Sequence, residues 1–286
     1  MTSKALDLAT IGRALNELRG PLGDWKWRGL NGEQQEFLSW YASREEQIEK
    51  LTDLQALASR DYAQLNTFLQ AHGFGAAFEP FDGIGVASIL DMLVQWAIEG
   101  EPTTIERVSA PFGPYPAFQI RSGAVDVYGA PGYKDPVLRL RTKTGHSLWL
   151  MKSDLPESGL ALNRVAQQLL EAGLTPNRRW TVGVVVPMLE MDIAADLSWL
   201  LGATAANGDG DYHIEQAFQR FKLRADHHGA HVEVATGLMV SMSSCGPISY
   251  PYRLDDPFIG FFTHPDNDTM PLAAFWADTD TWRTPS

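Results

Sequence analysis

The sequence holds a single cysteine, Cys245, in 286 residues. That excludes an internal disulfide framework and any multi-cysteine metal knuckle, and it fits a reducing compartment. Positive charge is also scarce: 23 Lys and Arg stand against 35 Asp and Glu, for a net charge of −12. Nucleic acid and anionic membrane surfaces select for clustered cations, so neither is expected as a partner. Long apolar runs are missing. The most hydrophobic stretch, IGVASILDMLVQWAI from Ile84 to Ile98, is too short to cross a bilayer and carries Asp91. The opening MTSKALDLATIGRALNELRG lacks a basic start followed by an apolar core, so no secretory leader is read there and a cytoplasmic protein is expected. Catalytic signatures are missing too: there is no phosphate loop, nucleophile elbow, zinc-protease helix or dinucleotide fingerprint. GATAANGDGDY has glycines but follows a helical stretch rather than a strand, so it reads as a turn. The expectation is a non-enzyme without a cofactor.

Apolar residues make up 44% of the chain, enough for a real core and against disorder. Two textures divide it. Residues 1–104 read as a helical region. Within it, residues 36–70 contain neither Gly nor Pro, and Phe37, Tyr41, Ile48, Leu51, Ala58, Tyr62, Leu65 and Leu69 form a 3–4 seam. This predicts one long helix or a helical pair whose stripe packs on its own core, with oligomerisation through the seam as the alternative. Ile84–Ile98 reads as a buried helix ended by Gly100 and Pro102. Residues 105–286 are rich in strand patterns. FQIRSGAVDVYG, PVLRLRT and HSLWLM are separated by Gly-containing turns, and TVGVVVPML suits a strand buried on both faces. LALNRVAQQLLEAGL and DIAADLSWLLG read as helices, FKLRA as an alternating strand, and FIGFFTH with LAAFWAD as a closing strand pair. Helices first, then mostly strands, is an α+β order.

Three stretches in the second half, taken in order, resemble the C-terminal portion of serpins: VVVPMLEMDIAADLSWLLG, FKLRADHHGAHVEVATGLMV and YRLDDPFIGFFTHPDNDTMPLAAFWADT. The likeness covers about the last hundred residues, with VDVYGAPGYKDPVLRLRTKTGHSLWLMK as a weaker extension. It implies a mixed and antiparallel, β-rich serpin-like C-terminal region carrying a reactive-loop-like segment at 229–256. Gly229 would be the hinge glycine. Ala230, Val232, Val234 and Thr236 would belong to the part that enters a sheet after cleavage, and cleavage would fall within Met242, Ser243, Ser244 and Cys245, centred on Ser243–Ser244. Pro257–Phe258 would resume the body. The residues themselves suit part of this, because Ala230, Val232, Val234 and Thr236 alternate as one small or β-branched face without proline.

The sequence departs from inhibitory serpins in having His227–His228 before the hinge glycine and valines where alanines are usual. No stretch of the first half resembles the serpin N-terminal sheet. The expected function is therefore a non-catalytic protein-interaction module without strand insertion. A serine protease inhibitor cut near Ser243–Ser244 is the first alternative, and an assembly protein built on the helical seam the second. The expected partner is a protein, with a protease among the candidates. Asp226, His227, His228 and His231 were weighed as a metal cluster; neighbouring strand residues point to opposite faces, which favours a solvated turn and no metal. Nothing basic adjoins Cys245 to make its thiol reactive.

Overall fold

The fold is that of a computed structural model, which describes residues 3–22, 26–51, 53–75, 77–81, 85–90, 92, 94–107, 113–177, 182–207, 210–230 and 250–286. β1 (Lys4–Leu6) leads into α1 (Leu8–Leu22), and β2 (Lys26–Arg28) into α2 (Gly32–Ala42) and the single turn α3 (Glu45–Glu49). β3 (Leu54–Ser59), α4 (Tyr62–Ala71), β4 (Gly85–Leu90), β5 (Val94–Gln95) and β6 (Glu101–Ile105) follow. Then come β7 (Tyr115–Arg121), β8 (Val125–Gly129), β9 (Val137–Arg141), β10 (Ser147–Lys152), α5 (Gly159–Glu171) and β11 (Thr175–Pro176). The last part runs β12 (Gly183–Pro187), β13 (Leu189–Ala194), a 3-10 turn at Ser198–Leu200, β14 (Thr204–Asn207), β15 (Gly210–His213) and β16 (Arg220–Ala225). It ends with β17 (Gly229–Ala230), β18 (Tyr252–Arg253), β19 (Phe258–His264) and β20 (Asn267–Ala277).

The largest sheet has seven strands in the order β1-β20-β19-β10-β9-β8-β11, antiparallel throughout. Its centre, β19 and β20, is almost wholly buried because both faces are covered. Ile259 and Phe261 pack with Leu162, Ala166 and Leu169 of α5, while Phe258 and Phe262 point into the main core on the other side. α5 starts where Ser158 accepts a hydrogen bond from the Ala161 amide, the usual service of a serine at a helix start. Opposite that sheet lies a second layer, with strand order β13-β16-β17-β5. β16 shows the cleanest sequence-to-structure link: Arg220–Ala225 alternates exposed and buried along its length, as FKLRA predicts.

Three expectations need correction. Residues 36–70 are not one helix or a helical pair; they are broken into α2, α3, β3 and α4. LQALAS has helical composition, but it pairs with β4 from Leu54↔Leu90 to Ser59↔Gly85, and tertiary pairing overrides weak local propensity. Ile84–Ile98 holds β4 and β5 rather than a helix, since a short apolar run does not reveal its period. DIAADLSWLLG is not a helix either: β13 pairs with all of β16, and only Ser198–Leu200 winds. Residues up to 104 thus carry six strands beside four helices among those described.

Six of the eight seam residues face the protein's own core: Phe37, Tyr41, Ile48, Leu51, Leu65 and Leu69 are buried, whereas Ala58 is half-buried and Tyr62 exposed. Ile48→Ala and Leu65→Ala should each lower stability by about 2–5 kcal/mol in urea unfolding. Neither should change the elution volume in size-exclusion chromatography; a shift there would mean the stripe serves an interface.

Candidate functional site

The region around Gly229 is built from distant parts of the chain. Ala230 pairs with Ala225 of β16 on one side and with Val94 of β5 on the other, and Gly229 pairs with Gln95. The two-residue strand β17 is therefore wedged between the end of β16 and the equally short β5. A Cβ at residue 229 would lie 2.2 Å from the Val94 carbonyl oxygen and 2.9 Å from the Gln95 Cα, so only glycine allows this approach. The turn before it is tied down from both ends. Asp226 Oδ1 accepts from the amides of His228 (2.8 Å) and Gly229 (3.3 Å), and its carbonyl accepts from the buried Trp96 indole N–H (2.8 Å). Trp96 and Gly100 amides donate to the His228 and His227 carbonyls.

Beyond β17 the walls separate. On one side, β16 pairs with β13 along its full length and with β17 only at Ala225. On the other, β4 pairs with β3. Among the described residues no strand fills the space between β16 and β4. It is a slot of about 260 Å³ whose walls include Phe221 and Leu223 on one side and Ile89, Leu90 and Met92 on the other, with Ala230 at one end. Lys222 spans it: its Nζ donates to the Gly73 carbonyl at 2.7 Å and lies 4.7 Å from the Phe74 ring centroid, tying β16 to the loop after α4.

The floor is polar. Gln219, just before β16, accepts from the Asp7 amide through Oε1 (2.9 Å) and donates through Nε2 to the Asp7 carbonyl (2.8 Å) and Thr10 Oγ1 (2.7 Å). Asp7 Oδ1 accepts from the Ala9 amide at the start of α1, while Oδ2 is buried without a hydrogen-bond partner. Burial pushes the Asp7 carboxyl up to about 6, and the amides of Ala9, Ala273 and Thr10 pull it only part of the way back.

Of the residues singled out in the sequence, Gly229 and Ala230 are buried at the head of this slot. Val232, Val234, Thr236, Met242, Ser243, Ser244 and Cys245 lie outside the described residues, as does His231. The chain rejoins the body at β18, ahead of Pro257: Tyr252 pairs with Val184, and Tyr252 and Leu254 are buried before Phe258, fully buried, begins β19. His227 and His228 form a turn, as expected, but the stated reason fails. They are not on a strand, and their ring centroids come within 3.8 Å, with His228 Nδ1 2.5 Å from Glu99 Oε1. Asp7, Val94, Trp96, Gln219 and Lys222 were not anticipated. Only the buried-helix reading of Ile84–Ile98 touched two of them, and it hid their role.

No protein-family model matches the sequence, and no curated protein matches it. Solved structures do. The chain is similar to Serpin48 from the insect Tenebrio molitor at 13% identity, over 97% of this chain and 92% of that one, with a TM-score of 0.59. Human thyroxine-binding globulin with its bound hormone aligns at 10% identity over 96% and 91%, TM-score 0.58. The thermophilic serpin tengpin in its native state aligns at 10% identity over 96% and 88%, TM-score 0.60. The chain thus has an α+β, serpin-like fold, and the likeness runs through the first half as well as the last hundred residues. No helix among the described residues is long and apolar enough to cross a membrane.

Two outcomes follow from this geometry. Gly229→Ala should cost about 1–3 kcal/mol, as overpacking does, and should raise amide exchange at Ala230 in β17 before exchange in β16; unchanged exchange would mean the wedge is not tight. Asp7 is predicted to make stability pH-dependent. Its folded value of about 6 exceeds the unfolded 3.8, so the folded state keeps a proton that the unfolded chain releases. Stability should fall by up to about 3 kcal/mol as pH rises from about 4 through about 6, then level off. Asp7→Asn should remove that slope in thermal melts taken across this range, and parallel pH profiles for the two proteins would sink the assignment.

Proposed function

We propose that the chain is a non-catalytic protein-binding module that presents the segment after Ala230 to a serine protease, takes that segment into the slot between β16 and β4 once it is cut, and so inhibits the protease. The observation that carries this reading is the pairing of β17 with both walls at once. β17 runs antiparallel to β5 and to β16, so each step forward along the segment meets one residue further back on either wall. Continued from Ala230 opposite Ala225 and Val94, this register would set Val232 level with Leu223 and Met92, Val234 with Phe221 and Leu90, and Thr236 with Gln219.

Phe221, Leu223 and Ala225 form the buried face of β16. Val232, Val234 and Thr236 would continue the face that Ala230 begins, leaving His231 and Glu233 toward solvent. Thr236 would bring a hydroxyl to the level of Gln219, beside the Asp7 carboxyl. The cut would fall within Met242, Ser243, Ser244 and Cys245. The sequence reading placed the non-inserting module first because no sheet partner was visible in the first half. β4 and β5 flank the slot from that half, and this reverses the order.

A second reading, binding without insertion, draws support from the Lys222 clasp, which opposes entry of a strand. The fold alone does not choose, since one similar structure holds a hormone. Limited digestion with several serine proteases decides. Inhibition predicts an SDS-stable complex, cleavage between Leu238 and Gly246, and a marked rise in melting temperature of the cut protein. Val234→Glu should keep the cleavage and abolish the rise. Cleavage there with an unchanged melting temperature and no covalent complex would make the second reading the function.

A further inference from the structure

A second cluster lies away from the slot, where three segments distant in sequence meet. Asp53 precedes β3, His146 sits in the β9–β10 hairpin, and His264 ends β19. Both histidines are buried and Asp53 is half-buried. His146 Nε2 is 3.1 Å and His264 Nε2 3.8 Å from Asp53 Oδ2, and the three candidate ligand atoms all lie within 4.8 Å of one another. The rings meet edge to face with centroids 5.0 Å apart.

The hydrogen bonds around His146 dictate where its proton is. Thr142 Oγ1 donates its one hydrogen to the His146 carbonyl at 2.8 Å, since a carbonyl only accepts. The 3.1 Å contact between the Thr142 and Thr144 hydroxyls must then be donated by Thr144. With its hydrogen used, Thr144 Oγ1 accepts from His146 Nδ1 at 2.9 Å, so Nδ1 carries the proton. Neutral His146 therefore turns the bare lone pair of Nε2 toward a carboxylate oxygen 3.1 Å away. Two acceptors at that distance need a positive charge between them, either a proton or a metal ion.

We propose that this charge is a divalent transition-metal ion, zinc first, held by His146 Nε2, His264 Nε2 and Asp53 Oδ2 with water completing the shell. Zinc bonds of about 2.0–2.1 Å in tetrahedral array set neighbouring ligand atoms roughly 3.3–3.4 Å apart. The two distances to Asp53 Oδ2 bracket that value, and the three ligand atoms lie within 4.8 Å of one another, so small side-chain rotations bring them onto one ion. Two imidazoles exclude magnesium and calcium as the preferred ion. The outer shell is partly in place: Thr144, itself held by Thr142, orients His146 in the metal-binding tautomer. His264 has one adjustment to make. Its Nδ1 accepts from the Asp266 amide at 3.1 Å, so its own proton sits on Nε2. Binding moves that proton to Nδ1 and gives up the hydrogen bond from the Asp266 amide; the exposed Asp266 carboxylate, 3.8 Å away, would swing in to accept from Nδ1–H. The ion would lock the segment ahead of β3 to two turns of the seven-stranded sheet.

The test is calorimetric titration of zinc into the full chain after dialysis against EDTA. One equivalent should bind, and His146→Gln and His264→Gln should each abolish that binding. Glu99→Gln combined with His228→Gln, at the exposed cluster beside the hinge, should leave it intact. Thr144→Val, which touches no metal, should weaken binding by roughly 10–100-fold and carries the test if a histidine variant does not fold. Cobalt(II) should give a visible d–d spectrum that zinc displaces. The proposal is overturned if zinc does not bind, if binding survives both histidine variants, or if it disappears with the Glu99 and His228 pair instead. NMR showing a doubly protonated His146 ring in zinc-saturating buffer would overturn it as well, because a proton would then fill the gap.

Discussion

The close approach of Gly229 to the Val94 carbonyl is the constraint on which the arrangement turns. It holds β17 between β5 and β16, and so fixes where the chain leaves the sheet and where the two walls begin to part. The anchoring of the preceding turn by Trp96 and Asp226 follows from the same approach. Trp96 lies in the main core, stacked on Phe118 with centroids 5.8 Å apart, so the wedge is referenced to the most rigid part of the molecule. Gln219 does the same at the opposite end by latching the foot of β16 to the start of α1. The slot is thus defined by two fixed ends rather than by its own lining.

How legible this was in the sequence varied with the kind of signal. β16 announced itself because one face is wet and one is dry, and α5 because its apolar residues recur at helical spacing. The pair β19 and β20 was visible from its aromatic density and the turn between them. β3 and β4 were hidden, since Leu, Gln and Ala in one strand carry helix propensity and the other is an uninterrupted apolar run; only their mutual pairing makes them strands. The same error concealed the second wall of the slot and so favoured a body without strand insertion. At the site, Gly229 was singled out only through the likeness of its surroundings to the serpin hinge. Val94, Asp7 and Gln219 were not, because their roles come from chain segments more than a hundred residues from the hinge or from one another.

The Asp53–His146–His264 group shows the same limit from another side. His146 is 93 residues from Asp53, and no local spacing joins them. The histidines that drew notice in the sequence were adjacent ones, whose rings do approach each other, but on an exposed turn. What distinguishes the buried group is the chain of hydroxyl donors through Thr142 and Thr144, which leaves a nitrogen lone pair aimed at a carboxylate. That pattern is a property of three-dimensional bookkeeping and has no linear signature.

The two walls of the slot also bear on solubility. An unpaired strand edge turned outward is a template on which another chain can add and begin a fibre. Here the β16 and β4 edges face each other across a narrow space, with Lys222 laid over it. A foreign strand would first have to prise the walls apart. Among the described residues these edges have no strand partner along the slot, and one lysine and one buried turn stand in the way of a foreign strand that would add there.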